Sequence, residues 1–180
     1  TQYEAQRVVE YTPDGKEVRS HKDLMAPFDA DRLPNGNTLI CEYSGQRVIE
    51  VDHAGKTVWS YEDCKHPYDA DRLPDGNTLI TEQGSRVIEV DAAGKLVWEY
   101  KSKHAVGADR LPNGNTLITN GQLSKVLEVN SAGEIVMQLR DLRVPTESRR
   151  LSNGQTIVAE QNQVRWFDAA GKVVRRVATP

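Results

Sequence analysis

Apolar positions in this chain fall in short alternating runs, with no stretch of sustained helical spacing. Thr38-Leu-Ile40, Val48-Ile-Glu-Val51 and Thr57-Val-Trp59 are representative. Such runs are rich in β-branched and aromatic residues, and turn chemistry bounds them, so they predict short strands. Pro34-Asn-Gly-Asn37 supplies one turn: proline presets φ, and Asn-Gly tolerates the positive φ of a hairpin. Asp52-His-Ala-Gly55 supplies the next.

The pattern recurs. Asp29-Ala-Asp-Arg-Leu-Pro-Asn-Gly-Asn-Thr-Leu-Ile40 returns over 69–80, over 107–118 and, more loosely, over 147–158. Its framework leucine stands at Leu33, Leu73, Leu111 and Leu151. A second segment, Arg86-Val-Ile-Glu-Val-Asp-Ala-Ala-Gly-Lys-Leu-Val-Trp98, alternates with the first and places turn glycines at Gly15, Gly55, Gly94, Gly133 and Gly171. Each period of about forty residues therefore carries four strands, A to D, which is the unit of a propeller blade. A β-solenoid fits less well, since its coils run shorter and lack alternating hairpins.

The expected fold is all-β, a β-propeller of four-stranded antiparallel blades, with four full blades and a partial fifth at the N-terminus. One domain spans 1–180, with the partial blade at 1–20 and blades at 27–62, 67–101, 105–140 and 145–178. Thr1–Ala5 aligns with the end of a strand B, so the first unit brings strands C and D without their inner partners. Three closures are open: five positions with one incomplete blade, four blades with the hairpin outside, or a segment of a longer propeller.

Composition narrows the function classes. A net charge of −3 lacks the basic excess of nucleic-acid binders. No apolar run approaches the ~20 residues that span a bilayer. The chain opens Thr-Gln-Tyr, without an initiator Met; no signal peptide is expected, the opening fits either processing or a piece of something longer, and the sequence assigns no compartment. Cys41 and Cys64 are too few for a disulfide scaffold and read as two free thiols, with a bridge as the alternative.

Internal repetition separates framework from candidate function. Positions shared by every blade serve every blade; the longer D–A and B–C connections vary, and loops on a rigid scaffold carry function. Before strand A stand Lys65, Lys103 and Arg143, followed in two blades by His66 and His104. At the start of strand C stand Arg47, Arg86 and Lys125, with Arg7 in the partial blade. Lys65, His66, Lys103, His104, Arg143, Arg47, Arg86 and Lys125 are therefore the candidate ligand-binding set, suited to carboxylate, sulfate or phosphate. The competing reading is a solvated rim paired with Glu42, Glu82, Asp63 and Glu160.

Two further patterns bear on chemistry. Asp29, Asp31, Asp69, Asp71 and Asp109 fall on the innermost strands, where oxygen ligands could hold a hard cation. Arg32, Arg72 and Arg110 follow them, and inter-blade Asp–Arg pairing is the more economical expectation. His21, His53, His66 and His104 show no zinc spacing, so no metal is expected. Trp59 and Trp98 are expected between blades, whereas Trp166 stands where other blades carry Glu10, Glu50, Glu89 and Glu128.

The repeat, Leu-Pro-Asn-Gly-Asn-Thr-Leu-Ile followed by Arg-Val-Ile-Glu-Val-Asp-x-x-Gly-Lys-x-Val-Trp, resembles bacterial propellers of the PQQ-like and arylsulfotransferase type. The arylsulfotransferase resemblance implies a channel histidine that carries a sulfuryl group, here His66 or His104, with Arg143 among the groups holding the anion. PQQ binding implies a larger ring and metal ligands that this sequence lacks, so no cofactor is expected. Blades this alike also look recently amplified or assembled from repeats. The expected function is a non-enzymatic scaffold that binds a small anionic ligand or a protein partner at the loop-rich face, as a monomer or small homo-oligomer. A small sulfotransferase-like enzyme and a purely structural repeat fragment are the alternatives.

Overall fold

The computed structural model describes residues 1–179, and among these every regular element is a β-strand. A two-stranded sheet comes first, β1 (Val8–Tyr11) with β2 (Glu17–His21). Four sheets of four antiparallel strands follow. The first holds β3 (Pro27–Arg32), β4 (Thr38–Glu42), β5 (Arg47–Val51) and β6 (Thr57–Tyr61). The second holds β7 (Pro67–Arg72), β8 (Thr78–Glu82), β9 (Arg86–Val90) and β10 (Leu96–Lys101). The third holds β11 (Ala105–Arg110), β12 (Thr116–Asn120), β13 (Lys125–Val129) and β14 (Ile135–Leu139). The fourth holds β15 (Glu147–Arg150), β16 (Thr156–Glu160), β17 (Gln163–Phe167) and β18 (Val173–Ala178). Each is a simple meander, as expected of a propeller blade.

Local chemistry explains the turns. At the A–B turn the Leu33 N–H donates to the Asn37 carbonyl at 2.9 Å, and Gly36 takes φ +84°. At the C–D turn the Asp52 carboxylate accepts from the Ala54 and Lys56 N–H groups, both at 2.9 Å. Asp91, Asn130 and Asp168 make the same pair of bonds in the later blades, which is why a short Asx side chain recurs there.

Blades stack through the two faces of strands B and C. Cys41 and Val48 of the first blade meet Ala70, Ile80, Ile88 and Val90 of the second. Leu79 and Val87 meet Ile118, Leu127 and Val129 of the third in the same way. Leu117 and Val126 then meet Val158 and Phe167 of the fourth. The β1–β2 hairpin is seated on the first blade as a preceding blade would be, through Val8, with Leu24 of the loop that follows β2, against Ile40, Ile49 and Val51. Cys41 and Cys64 are buried in the first seam as free thiols.

The seams carry a second, polar layer, and here the expected Asp–Arg pairing is overturned. Arg72 pairs with Glu50 of the preceding blade at 2.8 Å, Arg150 with Glu128 at 2.6 Å, and Arg110 and Arg32 with Glu89 and Glu10. Neighbours on a strand point to opposite faces, so Asp31 faces the channel while Arg32 faces the seam. The strand-C glutamate is therefore the arginine's partner. The same guanidinium covers the preceding blade's tryptophan: Arg72 lies 4.6 Å from the Trp59 ring centre and Arg110 lies 5.1 Å from that of Trp98. The indole N–H groups of Trp59 and Trp98 reach the Ala92 and Ser131 carbonyls of the next blade, at 3.0 and 3.1 Å.

Candidate functional site

The inner strands β3, β7, β11 and β15 line one recess of about 180 Å³ at the axis. Strand alternation sends every second strand-A side chain into it, in two tiers. Asp29, Asp69, Gly107 and Glu147 form one tier; Asp31, Asp71, Asp109 and Arg149 form the other. Arg149 is the one cation in this lining.

Crowding of carboxylates in a confined space raises their proton affinity. Burial, with Asp31 beside it, pushes Asp29 up to about 6. Burial and the neighbouring Asp109 and Asp31 push Asp71 up to about 7. Asp69 lies well above the ordinary carboxylate range, through burial and then Asp29. Burial also raises Asp109, although Arg149 opposes the rise. Backbone N–H groups of the next blade donate to the Asp29–Asp69 tier, Ala70 to Asp29 at 3.4 Å and Ala108 to Asp69 at 3.0 Å. Among the described residues, no three His, Cys, Asp or Glu side chains are placed to hold one metal ion.

An aromatic cluster is built around Phe28 and Tyr68, the residues that precede Asp29 and Asp69 in strand A. The pairing of β3 with β4 skips Phe28, because the register shifts between Pro27 and Asp29; β7 does the same around Tyr68. Bulges of this kind re-aim a side chain out of the alternating pattern. Phe28 and Tyr68 sit with ring centres 4.2 Å apart, with Tyr3 edge-on to Phe28 at 5.5 Å and Tyr43 at 5.3 Å. The Tyr43 hydroxyl is anchored on Gln83 of the next blade at 2.6 Å. Sequence reasoning passed over these aromatics. The usable signal was the residue before the strand-A Asp, which varies as Phe28, Tyr68, Val106 and Thr146.

The cations singled out from sequence are divided among several environments. Arg47 is paired with the fully buried Glu42, whose other oxygen accepts from the Met25 N–H at 2.6 Å. Arg86 is paired with Glu82 at 3.0 Å and Glu99 at 3.1 Å, and donates to the Asp63 carbonyl at 3.5 Å. Lys65 and Arg143 are exposed on the D–A loops. His66 lies tilted against Tyr43, ring centres 4.8 Å apart, in a left-handed backbone conformation, φ +47°. Lys103, His104 and Lys125 are brought together around a recess of about 270 Å³, beside Ser102 and Asn120. The third blade ends strand B in Asn120 where its neighbours have Glu42, Glu82 and Glu160, and Asn120 accepts from the Ser102 hydroxyl at 2.8 Å. Among the described residues, Lys125 consequently has no carboxylate at ion-pair distance. His66 and His104 thus occupy separate surroundings.

The sequence profile of the PQQ-like repeat family described as outer membrane protein assembly factor BamB matches residues 2–174. No curated protein matches the chain. Among solved structures, a protein of unknown function from Bacteroides caccae superposes with TM-score 0.81 at 19% identity, over 96% of this chain and 69% of that one. A streptogramin B lyase gives 0.79 at 14% identity, over 100% of this chain and 64% of that one. An inactive variant of virginiamycin B lyase from Staphylococcus aureus, determined with quinupristin, gives 0.78 at 16% identity, over 100% and 65%. The chain spans about two thirds of the length of these proteins. At such identities the likeness is one of fold.

Proposed function

This chain belongs to the PQQ-like repeat family, and from that premise we propose that it is a binding module whose ligand enters at the loop-rich face. The ligand class that the geometry favours is an organic cation. The carrying observation is the carboxylate-lined recess of Asp29, Asp31, Asp69, Asp71 and Asp109, with the Phe28–Tyr68 pair on the residues that precede Asp29 and Asp69. An ammonium group gains from carboxylates and from aromatic faces alike, and an apolar substituent gains from the rings. Titration calorimetry with benzylamine, choline and spermidine, against benzoate and sulfate, tests this reading. At least one amine is expected to bind, and Asp71→Asn and Phe28→Ala are each expected to weaken it by roughly tenfold. Absence of amine binding, or binding indifferent to both substitutions, overturns it.

A second reading keeps the anionic ligand and seats it on Lys103, His104 and Lys125, with Lys65, Arg143, Arg47 and Arg86 at other positions of the set. The supporting observation is Asn120, which leaves Lys125 without the carboxylate that holds Arg47 and Arg86. Lys125→Ala would then abolish a sulfate-induced thermal shift, while Arg47→Ala would leave that shift in place. Sulfuryl transfer by His66 or His104 draws on the resemblance alone.

A further inference from the structure

We propose that the third blade binds the carboxylate of a small organic acid, held between the Asn120 amide and the Lys125 ammonium, where the other full blades hold a glutamate of their own. The site deepens the second reading above, an anion at Lys103, His104 and Lys125, and rests on it. It adds the class of anion and a further donor.

The other three full blades show what this place accommodates. Glu42, Glu82 and Glu160 end strand B, and each is at most 6% exposed. Each pairs with a strand-C arginine, Arg47, Arg86 or Arg165. Arg86 donates to both oxygens of Glu82, at 3.0 and 3.2 Å. Glu42 and Glu160 also accept from the D–A loop, through the Met25 and Arg143 N–H groups at 2.6 Å. A planar carboxylate between converging donors is thus a recurring part of the framework.

The third blade departs from this at three positions. Strand B ends in Asn120, strand C opens on Lys125, and Ser102 replaces the apolar or thiol side chain of Leu24, Cys64 and Leu142. The Ser102 hydroxyl donates to Asn120 Oδ1 at 2.8 Å, which fixes the amide one way round. Asn120 is 1% exposed, and its Nδ2 has no hydrogen-bond partner among the described residues. A buried donor without an acceptor is costly, and a ligand that supplies one recovers that cost. Asn120 and the half-buried Lys125 border the same recess of about 270 Å³.

Charge and shape select the ligand. A glutamate with its arginine is neutral as a pair, whereas Asn120 with Lys125 is left positive. A monoanion restores the balance, and a carboxylate offers one oxygen to each donor. A second recess, of about 310 Å³, shares Lys103 and His104 with the first and adds Gln83, Val106 and Gln122. The remainder of the acid extends there, where the glutamine amides suit an amide-bearing substituent.

The experiment titrates the intact chain with N-acetylglycine, with the neutral N-acetylglycinamide as control. Side-chain amide resonances are followed by nuclear magnetic resonance, those of Asn120 being identified by their loss in Asn120→Glu. The acid is expected to shift the Asn120 resonances saturably, and the control to leave them in place. Asn120→Glu refills the place as in the neighbouring blades, and Lys125→Ala removes the cation. Each is expected to weaken binding of the acid, read by calorimetry, by at least about tenfold. Resonances unmoved by excess acid overturn the proposal, and so does equal binding of the control. Acid affinity unchanged by Asn120→Glu overturns it too. Should sulfate then still raise the melting temperature through Lys125, the broader anion reading stands; without that shift both fall.

Discussion

Arg72 donates to Glu50 across the seam between the first two blades at 2.8 Å, with both side chains largely buried. Glu50 also accepts from Asn35 at 3.0 Å and Asn37 at 2.6 Å, so the carboxylate gathers the A–B turn of its own blade and the strand-A arginine of the next. Removing one partner leaves a desolvated charge behind. Arg72→Met is expected to cost about 2 kcal/mol in urea denaturation, and Glu50→Gln a similar amount. The double substitution should cost clearly less than both together, since the two residues act as a pair. Additive losses would show that the ion pair does not couple the blades.

The channel carboxylates make stability depend on pH with a definite sign. Asp29 at about 6 and Asp71 at about 7 stand above the ordinary value of 3.8. Between those limits the folded chain holds protons that the unfolded chain has released, so stability falls as pH rises from about 4 to 7. Glu128 and Glu160 act in the opposite sense. Burial pushes each upward, but hydrogen bonds outweigh it, from Asn115, Asn113 and Arg150 to Glu128 and from Arg165, Arg143 and Gln163 to Glu160. Both therefore end below 4.5, and their contribution is lost in acid. Melting temperature followed by circular dichroism should be higher at pH 5 than at pH 8. Asp71→Asn should raise the value at pH 8 by a few degrees and flatten the slope. A melting temperature that climbs from pH 5 to pH 8 contradicts this account.

Val144 lies on a D–A loop at φ +45° and is 51% exposed. A β-branched residue is strained in the left-handed region, and glycine is not. Val144→Gly is expected to stabilise the fold by about 1 kcal/mol, since little packing is lost. Equilibrium denaturation reads this directly, and a loss of stability would mean that the exposed valine makes contacts worth more than the strain.

Both thiols should be silent in the native protein. Cys41 is 0% exposed and Cys64 is 3% exposed. Burial pushes Cys64 up to about 12 and Cys41 well above the usual thiol range. A thiolate-specific disulfide reagent should therefore report no reactive thiol at pH 8 until denaturant is added, and then two. Fast labelling of either cysteine in the folded state would contradict the closed first seam.

The blades were readable from the chain because each strand and turn is specified within a few residues. Pro-Asn-Gly-Asn sets the A–B hairpin and Asp-x-x-Gly sets the C–D hairpin, whatever surrounds them. Trp59 and Trp98 were likewise legible as seam residues, and they lie there. Partnership across seams was not legible. Asp31 and Arg32 are adjacent in sequence, but strand alternation sends one to the channel and the other to a glutamate 22 residues away. The aromatic cluster was not legible for a related reason: the register shifts around Phe28 and Tyr68, and such bulges re-aim side chains that simple alternation would assign to the other face.

By itself, then, the sequence determined the four-stranded unit, its repetition and the variable loop side, all of which follow from short-range turn chemistry and period-two alternation. Tertiary structure alone decided the sign of the channel and which cations are spent on buried glutamates. These depend on which faces of distant strands meet, and burial sets the strength of every charge that they bring together.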